Sequence, residues 1–277
     1  MLQRIAPRRA RSLPVLGGAA WIALALVSPA RAIETVRPDL WVANGSVLAM
    51  ARSGNTLFLG GSFDHVGPAT GCFAWVDTSS GAPTTPTDRV LANLGADYGV
   101  LAMTDDGAGG WYLGGRFSHA GGVAQTNLTH LLAGGARDAS FNVAANGIVR
   151  AVRRVGTTLY VGGEFTTLGG LARNRLGAID LTTGAVTSWN PAPNAVVRAL
   201  EAGPEYLYVG GDFTSIAGQT RRALVAFSLA SGALAAWNPG SDGRVWALHL
   251  AGPTLYAGGG FGSLSAITRP VSSSRAR

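Results

Sequence analysis

The chain has 277 residues, 47% of them hydrophobic and 13% charged, so it can bury a sizeable core and is too apolar for intrinsic disorder. Its formal charge is +7, but five of its 22 basic residues stand in the first 32, which hold no acidic residue. From Ile33 onward 17 basic residues stand against 15 acidic ones, which argues against the concentrated basic surface of a nucleic-acid-binding protein.

The N-terminal segment has the three parts of a secretory signal peptide. Four arginines lie before Leu13, an apolar stretch of 15 residues runs from Leu13 to Val27, and Ala30 and Ala32 supply the small residues of a cleavage site. We therefore expect a signal peptide over 1–32, with an uncleaved anchor as the alternative. The mature chain, 33–277, is predicted to be periplasmic, cell-surface or extracellular, with no membrane span after cleavage.

A motif of two glycines, any residue and phenylalanine recurs five times in the mature chain. Successive copies are 54, 48, 48 and 48 residues apart. A Val-x-Ala run precedes each copy, and an aromatic residue followed by Asn recurs at the same 48-residue interval. Such a period is typical of solenoids, propellers and arrays. The units start near residues 47, 100, 149, 197 and 245, and their phenylalanines are Phe63, Phe117, Phe165, Phe213 and Phe261.

Each unit is predicted to be a four-stranded antiparallel sheet. Between Val197 and Gly243, four apolar or alternating runs are separated by turn residues, with no room for a helix. One such sheet cannot bury both faces, so we predict an all-β, β-propeller-like architecture with four full units and a truncated fifth; an open array of sheets is the alternative. We expect the paired glycines to admit aromatic rings, with Trp189 and Trp237 lying between neighbouring sheets.

The third unit carries the motif most fully, as LYVGGEFTTLGGLARNRLGAIDLTTGAVTSWNP from Leu159 to Pro191. This pattern resembles the delta-60 repeat β-propeller family of secreted and surface bacterial proteins, and the resemblance extends roughly from Trp41 to Arg269. It implies the propeller fold but no activity, because the family has no agreed catalytic site. Unit one departs by about five extra residues, and unit five ends soon after Arg269, which indicates a truncated reading frame or completion by residues 33–42.

The candidate binding residues repeat at corresponding positions. Glu164 and Arg173 are nine residues apart, and Asp212 and Arg221 repeat that spacing. We expect two ion pairs within hairpins; the alternative is a carboxylate-binding ring of Arg173, Arg221 and Arg269, which would bind an anionic glycan.

Other polar residues indicate no catalytic or metal site. Cys72 is predicted to be a buried thiol, and Asp105-Asp106-Gly107 is predicted to be a hairpin turn rather than a calcium loop. His65 and His119 share a repeat position, but two histidines without a spaced carboxylate are a weak metal signature. We predict no catalytic residue, no metal and no cofactor.

We expect an exported, non-enzymatic binding module whose partner is an unknown protein or glycan and not nucleic acid. Two alternatives stay open. One is a propeller enzyme, a hydrolase or cofactor-dependent oxidoreductase, with its site at a central channel. The other is a fragment of a longer surface protein.

Overall fold

The computed structural model describes residues 43, 45–63, 66, 72–84, 90–91 and 99–264. Within these residues the chain is all-β, with 23 strands, only antiparallel pairings and no helix. The expected all-β class is therefore confirmed. The predicted signal peptide over 1–32, His65 and Arg269 lie outside the described residues.

Five main sheets, which we call sheets I to V, follow one another along the chain. Their strands are, in sheet I, β1 (Ser46–Ser53), β2 (Thr56–Ser62), β3 (Phe73–Asp77) and β4 (Pro83–Thr84); in sheet II, β6 (Val100–Asp105), β7 (Trp111–Gly115) and β10 (Leu128–Leu131); in sheet III, β11 (Val149–Val155), β12 (Thr158–Gly163), β15 (Leu176–Asp180) and β16 (Ala185–Val186); in sheet IV, β17 (Val197–Ala202), β18 (Tyr206–Gly211) and β21 (Leu224–Ser228); and in sheet V, β22 (Arg244–Ala251) and β23 (Thr254–Gly260).

Short hairpins follow the Gly-Gly-x-Phe motif in units two, three and four. They are β8 (His119–Ala120) and β9 (Val123–Ala124), joined by β5 (Val90–Leu91); β13 (Thr167–Leu168) and β14 (Leu171–Ala172); and β19 (Ser215–Ile216) and β20 (Gln219–Thr220). In the second hairpin Gly169 and Gly170 have φ of 54° and 78°. Positive φ at both central residues is typical of a type I′ turn, which glycine adopts without steric cost.

The predicted fourth strand forms in only some units. Sheets I and III have four strands in chain order, as expected. In sheets II and IV the fourth run is reduced to isolated bridges, Leu131 with Arg137 and Phe227 with Leu234. Even in sheet III this strand has two residues, so the few bonds that it adds make it the weakest part of the sheet.

Hydrophobic residues fill the space between consecutive sheets. Phe58 and Phe73 of sheet I share a cluster with Val100 and Leu113 of sheet II, and similar clusters join sheets II and III, III and IV, and IV and V. The first strand of each sheet also contacts the first strand of the next. Each sheet therefore buries a face that it could not bury alone.

The paired glycines admit neighbours, but these are not the aromatic rings that we expected. A Cβ on Gly162 would lie 2.5 Å from Val197 Cγ1 of sheet IV, and one on Gly210 would lie 2.7 Å from Val245 Cγ1 of sheet V. The second glycine of each pair instead lies against the backbone of its own first strand, as Gly163 does against Ile148. Aliphatic side chains fit because the sheets approach too closely there for a ring.

A bulge recurs in the first strand of every main sheet. In sheet III the register moves from Val149 opposite Gly163 to Ala151 opposite Gly162, which leaves Arg150 as the extra residue. The same irregularity occurs in the other four sheets. A bulge redirects its extra side chain; these residues are Leu48, Leu101, Arg150, Arg198 and Trp246. Among the described residues no helix is long and apolar enough to cross a membrane.

Candidate functional site

A groove of about 700 Å³ between sheets I and II is lined by aromatic residues. Phe58 lies at its base, with ring centroids 4.2 Å from Trp111 of sheet II and 5.9 Å from Trp75 on β3. Phe58 and Trp111 are buried, whereas Trp75 is partly exposed. Trp75 therefore offers the accessible ring surface in this groove, and the other two rings support it from beneath.

Three charged side chains stand at the edge of this groove: Arg52, Asp77 and Asp105. The carboxylate of Asp77 accepts hydrogen bonds from the hydroxyls of Ser79 and Ser80, which with the backbone N–H groups lower the pKa of Asp77 to about 2. Asp105 is 61% exposed and lies 3.4 Å from a guanidinium nitrogen of Arg154. The groove thus combines a ring face with hydrogen-bond donors and acceptors at its rim.

The groove lies beside the unit whose sequence departs from the repeat. In sheets III and IV, the aromatic residue of the aromatic-Asn pair packs on the tyrosine of the second strand, at 5.4 Å for Tyr160 with Trp189 and for Tyr208 with Trp237. Unit one has no such pair in its sequence. The corresponding opening between sheets III and IV, which Trp189 lines, measures about 300 Å³ and is smaller than the groove between sheets I and II.

Trp189 lies between neighbouring sheets, as predicted. Its ring packs edge-on against Phe227 of sheet IV at 5.1 Å, and its Nε1 donates a hydrogen bond to the carbonyl of Gly232 at 2.8 Å. Trp237 packs on Tyr208 and joins the cluster that contains Val245 of sheet V. Both tryptophans therefore belong to the packing between sheets.

The two predicted ion pairs are wrong in their partners. Glu164 pairs with Arg150, the bulged residue of β11, rather than with Arg173. Asp212 pairs with Arg198, with Nε and Nη2 each 2.7 Å from a carboxylate oxygen. Hydrogen bonding by Arg198 lowers the pKa of Asp212, and the same bond raises the pKa of Arg198. The bulge turns each arginine toward the acid at the end of the adjacent strand.

These pairs form one continuous charged row. Arg244 of sheet V approaches Asp212 of sheet IV to 3.9 Å, and the charge of Glu164 also acts on Arg198. The row alternates Arg150, Glu164, Arg198, Asp212 and Arg244. Opposite charges therefore link sheets III, IV and V at one end of their first strands.

Arg173 and Arg221 occupy equivalent positions after the hairpin strands β14 and β20. Arg173 donates from its guanidinium to the carbonyls of Ala172 and Thr187, and Arg221 donates to the carbonyl of Thr220 at 3.3 Å. Glu164 and Asp212 pair with Arg150 and Arg198 instead of these two arginines, and Arg269 lies outside the described residues. A role for the three arginines in binding an anion stays a prediction.

Sequence reasoning missed a buried histidine that lies between two aspartates. His130 Nδ1 is 2.8 Å from Asp138 Oδ2, and Nε2 is 3.1 Å from Asp106 Oδ2. The ring stacks on Tyr112 with centroids 4.2 Å apart. Burial raises the pKa values of both aspartates, but hydrogen bonds outweigh it, and each pKa lies below its ordinary value. The three residues are spread over 32 positions, so no local motif could identify them.

The remaining candidates take simple structural positions. Asp106 accepts hydrogen bonds from the backbone N–H groups of Ala108 and Gly110, so the predicted hairpin turn is confirmed. Cys72 is buried, and His119 is exposed with Nδ1 2.9 Å from the Ser118 hydroxyl. Within the described part of the chain no group of three metal-ligating side chains has the arrangement to hold an ion.

Neither a protein-family model nor a curated protein matches this sequence. The chain is similar to the solved structure of the computationally designed Ika8 protein, with 14% identity, a TM-score of 0.47, and coverage of 76% of this chain and 67% of that one. It is also similar to the computationally designed Ika4 protein, with 12% identity, a TM-score of 0.31, and coverage of 82% and 96%. No family is assigned to the chain by these similarities.

Proposed function

We propose that this chain is an exported, non-enzymatic module of β-propeller-like blades of the delta-60 repeat type, and that it binds a glycan in the groove between sheets I and II. Two observations support the propeller. The main sheets recur at the sequence period of the motif, and each places its first strand against the first strand of the next. Blades arranged around an axis have this neighbour relation.

The aromatic groove is the observation that carries the binding function. Trp75 is partly exposed above two buried rings, and Arg52, Asp77 and Asp105 surround it. A sugar ring combines an apolar face with hydroxyl groups around its edge. An aromatic surface bordered by charged acceptors and donors is complementary to both parts.

The titratable residues favour binding over catalysis. The carboxylates of Asp106 and Asp138 are held by backbone amides, Ser140 and His130. Glu164 and Asp212 are paired with arginines in the charged row. A general acid or base needs a proton that it can exchange with a substrate, whereas these groups are engaged in contacts that hold the sheets together.

A Trp75→Ala variant tests the proposal. We expect the purified chain to bind members of a panel of neutral and uronic-acid oligosaccharides, and the variant to bind them roughly tenfold or more weakly because the stacking surface is lost. Titration calorimetry measures both affinities. Trp246→Ala is the matched control, because Trp246 is 52% exposed and does not line the groove.

Two results would contradict the proposal. One is the absence of binding to every oligosaccharide of the panel by a folded chain. The other is an affinity that Trp75→Ala leaves unchanged. If binding to uronic acids alone persists in Trp75→Ala and is lost in Arg173→Ala or Arg221→Ala, the ligand site lies on the hairpin arginines.

A further inference from the structure

The four contacts between consecutive sheets repeat one arrangement of side chains. In each contact, two residues of the first strand of one sheet cover the first of the paired glycines of the preceding sheet. One of the two is a valine, and the other is the residue three positions after it. Val100 and Met103 cover Gly60 in this way. The other three contacts repeat it: Val149 and Val152 on Gly114, Val197 and Leu200 on Gly162, and Val245 and Leu248 on Gly210.

Sheet I carries one half of this contact without a partner. Val47 and Met50 occupy the positions of Val100 and Met103, but they are 41% and 68% exposed. The equivalent valines of sheets II to V are fully buried. Leu48, the bulged residue beside them, is 44% exposed. We call Val47, Leu48 and Met50 the leading face.

Sheet V carries the other half. Among the described residues, a Cβ on Gly258 would have only Ala247 of the same strand pair within 4 Å, at 3.9 Å, whereas the four equivalent glycines are all covered by the next sheet. Tyr256 is 59% exposed, although the equivalent Phe58 and Tyr112 are buried. We call Tyr256 and Gly258 the trailing face.

We propose that these two faces bind each other between copies of this chain, so that the leading face of one copy packs on the trailing face of the next. The faces are the two halves of an interface that the chain already forms four times within itself. The contact would place Val47 and Met50 on Gly258. Because the two surfaces differ, the assembly is head-to-tail, and its rotation decides whether it closes into a ring or stays open.

The distribution of charge supports a second copy of the chain as the binding partner of each face. In sheets III and IV the bulged residue and the residue after the paired glycines are Arg150 with Glu164 and Arg198 with Asp212. In sheets I and V these positions hold uncharged residues instead, Leu48 with Ser62 and Trp246 with Gly260. Where Arg153 meets Glu201 between sheets III and IV, the new contact would bring His249 toward Ala51. The contact therefore joins apolar surfaces without opposing like charges.

The experiment measures the mass of the purified chain by light scattering over a range of concentrations. We expect the chain to assemble, and we expect Met50→Asp and Gly258→Leu each to reduce the mass to that of one copy. Both positions are open in the single copy, so thermal midpoints should equal that of the parent chain at a dilution where the parent chain is also a single copy. Leu171→Asp is the matched control, because Leu171 is 48% exposed on β14 and belongs to neither face; it should assemble like the parent chain.

Mixing the two variants separates the proposal from its alternatives. Met50→Asp keeps an intact trailing face and Gly258→Leu an intact leading face, so an equimolar mixture should form a pair and grow no further. A single-copy mass for the parent chain at every concentration would overturn the proposal. So would a midpoint that falls in Met50→Asp at a dilution where the parent chain is a single copy, because this would place both faces in contact within one chain. An assembly that only one of the two substitutions disrupts would also overturn it, because it would join like faces.

Discussion

His130 shows at the scale of single residues how the repeat acquires a local specialisation. The positions of His130 in the other units hold Trp75, Ala178 and Ala226, opposite the aromatic residue of each second strand. In unit two the His130 side chain forms hydrogen bonds with two aspartates, Asp106 and Asp138. A protonated imidazole can donate to both carboxylates, whereas a neutral one can donate to only one of them. The three side chains therefore behave as one unit.

We expect His130→Ala to lower the free energy of unfolding by on the order of 2–3 kcal/mol near neutral pH. The substitution leaves two carboxylates, 9% and 21% exposed, without their shared donor. Denaturant unfolding measures the loss. His119→Ala, which alters an exposed histidine, is the control and should leave stability unchanged. Equal stability of His130→Ala and the parent chain would show that the aspartates are adequately solvated without the ring.

The charged row could have been found from the sequence, although we paired its acids with the wrong arginines. An acid follows the paired glycines only in units three and four, and only these units begin Val-Arg. That joint occurrence indicates the pairs Arg150 with Glu164 and Arg198 with Asp212. We followed the nine-residue spacing to Arg173 and Arg221 instead, because the bulge that turns the first-strand arginine is a backbone irregularity that spacing does not express.

At the scale of strands and sheets, the paired glycines define how closely two sheets approach. We expect Gly162→Ala to lower the free energy of unfolding by about 1–3 kcal/mol, because the new methyl group would lie 2.5 Å from Val197 Cγ1 and 3.5 Å from Leu200 Cδ1. Thermal or denaturant unfolding measures this change, and the structure offers a control at the same position of the repeat.

That control is Gly258→Ala. Its methyl group would meet only Ala247 Cβ, at 3.9 Å, so at a dilution where the chain is a single copy the variant should be as stable as the parent or slightly more so. If both substitutions cost the same, the loss of glycine itself would be responsible, and the packing argument would be wrong.

The positions of the strands could be predicted from the sequence better than the contacts that the strands make. Period-2 runs of Val, Leu and Tyr bounded by Gly, Pro and Asn identify the first three strands of each unit, because one face of each run must leave water. The fourth run is as apolar in sequence but forms two residues of strand or a single bridge. Whether the fourth run forms a strand depends on contacts made after the sheet has formed. The local sequence pattern does not contain these contacts.

At the scale of the whole molecule, the repeat predicts which sheets are neighbours but not which residues cover each glycine. Every unit repeats the same interface, so the order I to V follows from chain order. The choice of Val197 over a tryptophan as the neighbour of Gly162 depends on the distance between two sheets. The groove at Trp75 could not be predicted from a local pattern either, because its lining combines residues far apart in the sequence, such as Arg52 and Trp111.

The titratable groups give the molecule a stability profile that falls at both ends of the pH scale. Every aspartate with a shifted pKa lies below its ordinary value of 3.8: Asp77, Asp106, Asp138, Asp180, Asp212 and Asp242. The unfolded chain therefore binds more protons than the folded chain in acid. Their stabilisation is complete above pH 3.8 and is lost as pH falls toward about 2, the pKa of Asp77.

Tyrosines cause the fall in stability at alkaline pH. Burial raises the pKa values of Tyr112, Tyr160 and Tyr208 above the ordinary 10.0. The unfolded chain then releases protons that the folded chain retains, so stability decreases as pH rises beyond 10.0. We expect the thermal midpoint, followed by circular dichroism from about pH 2 to about pH 11, to be level in the middle of the range and to fall at each end.

Two substitutions test which side chains cause the loss of stability in acid and in alkali. Asp77→Asn should lower the midpoint at neutral pH, and its difference from the parent chain should vanish as pH falls through about 2, because the parent carboxylate is then protonated as well. Tyr160→Phe should reduce the loss of stability above pH 10.0, because phenylalanine has no phenolic proton and one group with a raised pKa is therefore absent. A midpoint that rises on acidification below pH 3.8 would contradict the lowered aspartate pKa values, and one that stays level above 10.0 would contradict the raised tyrosine values.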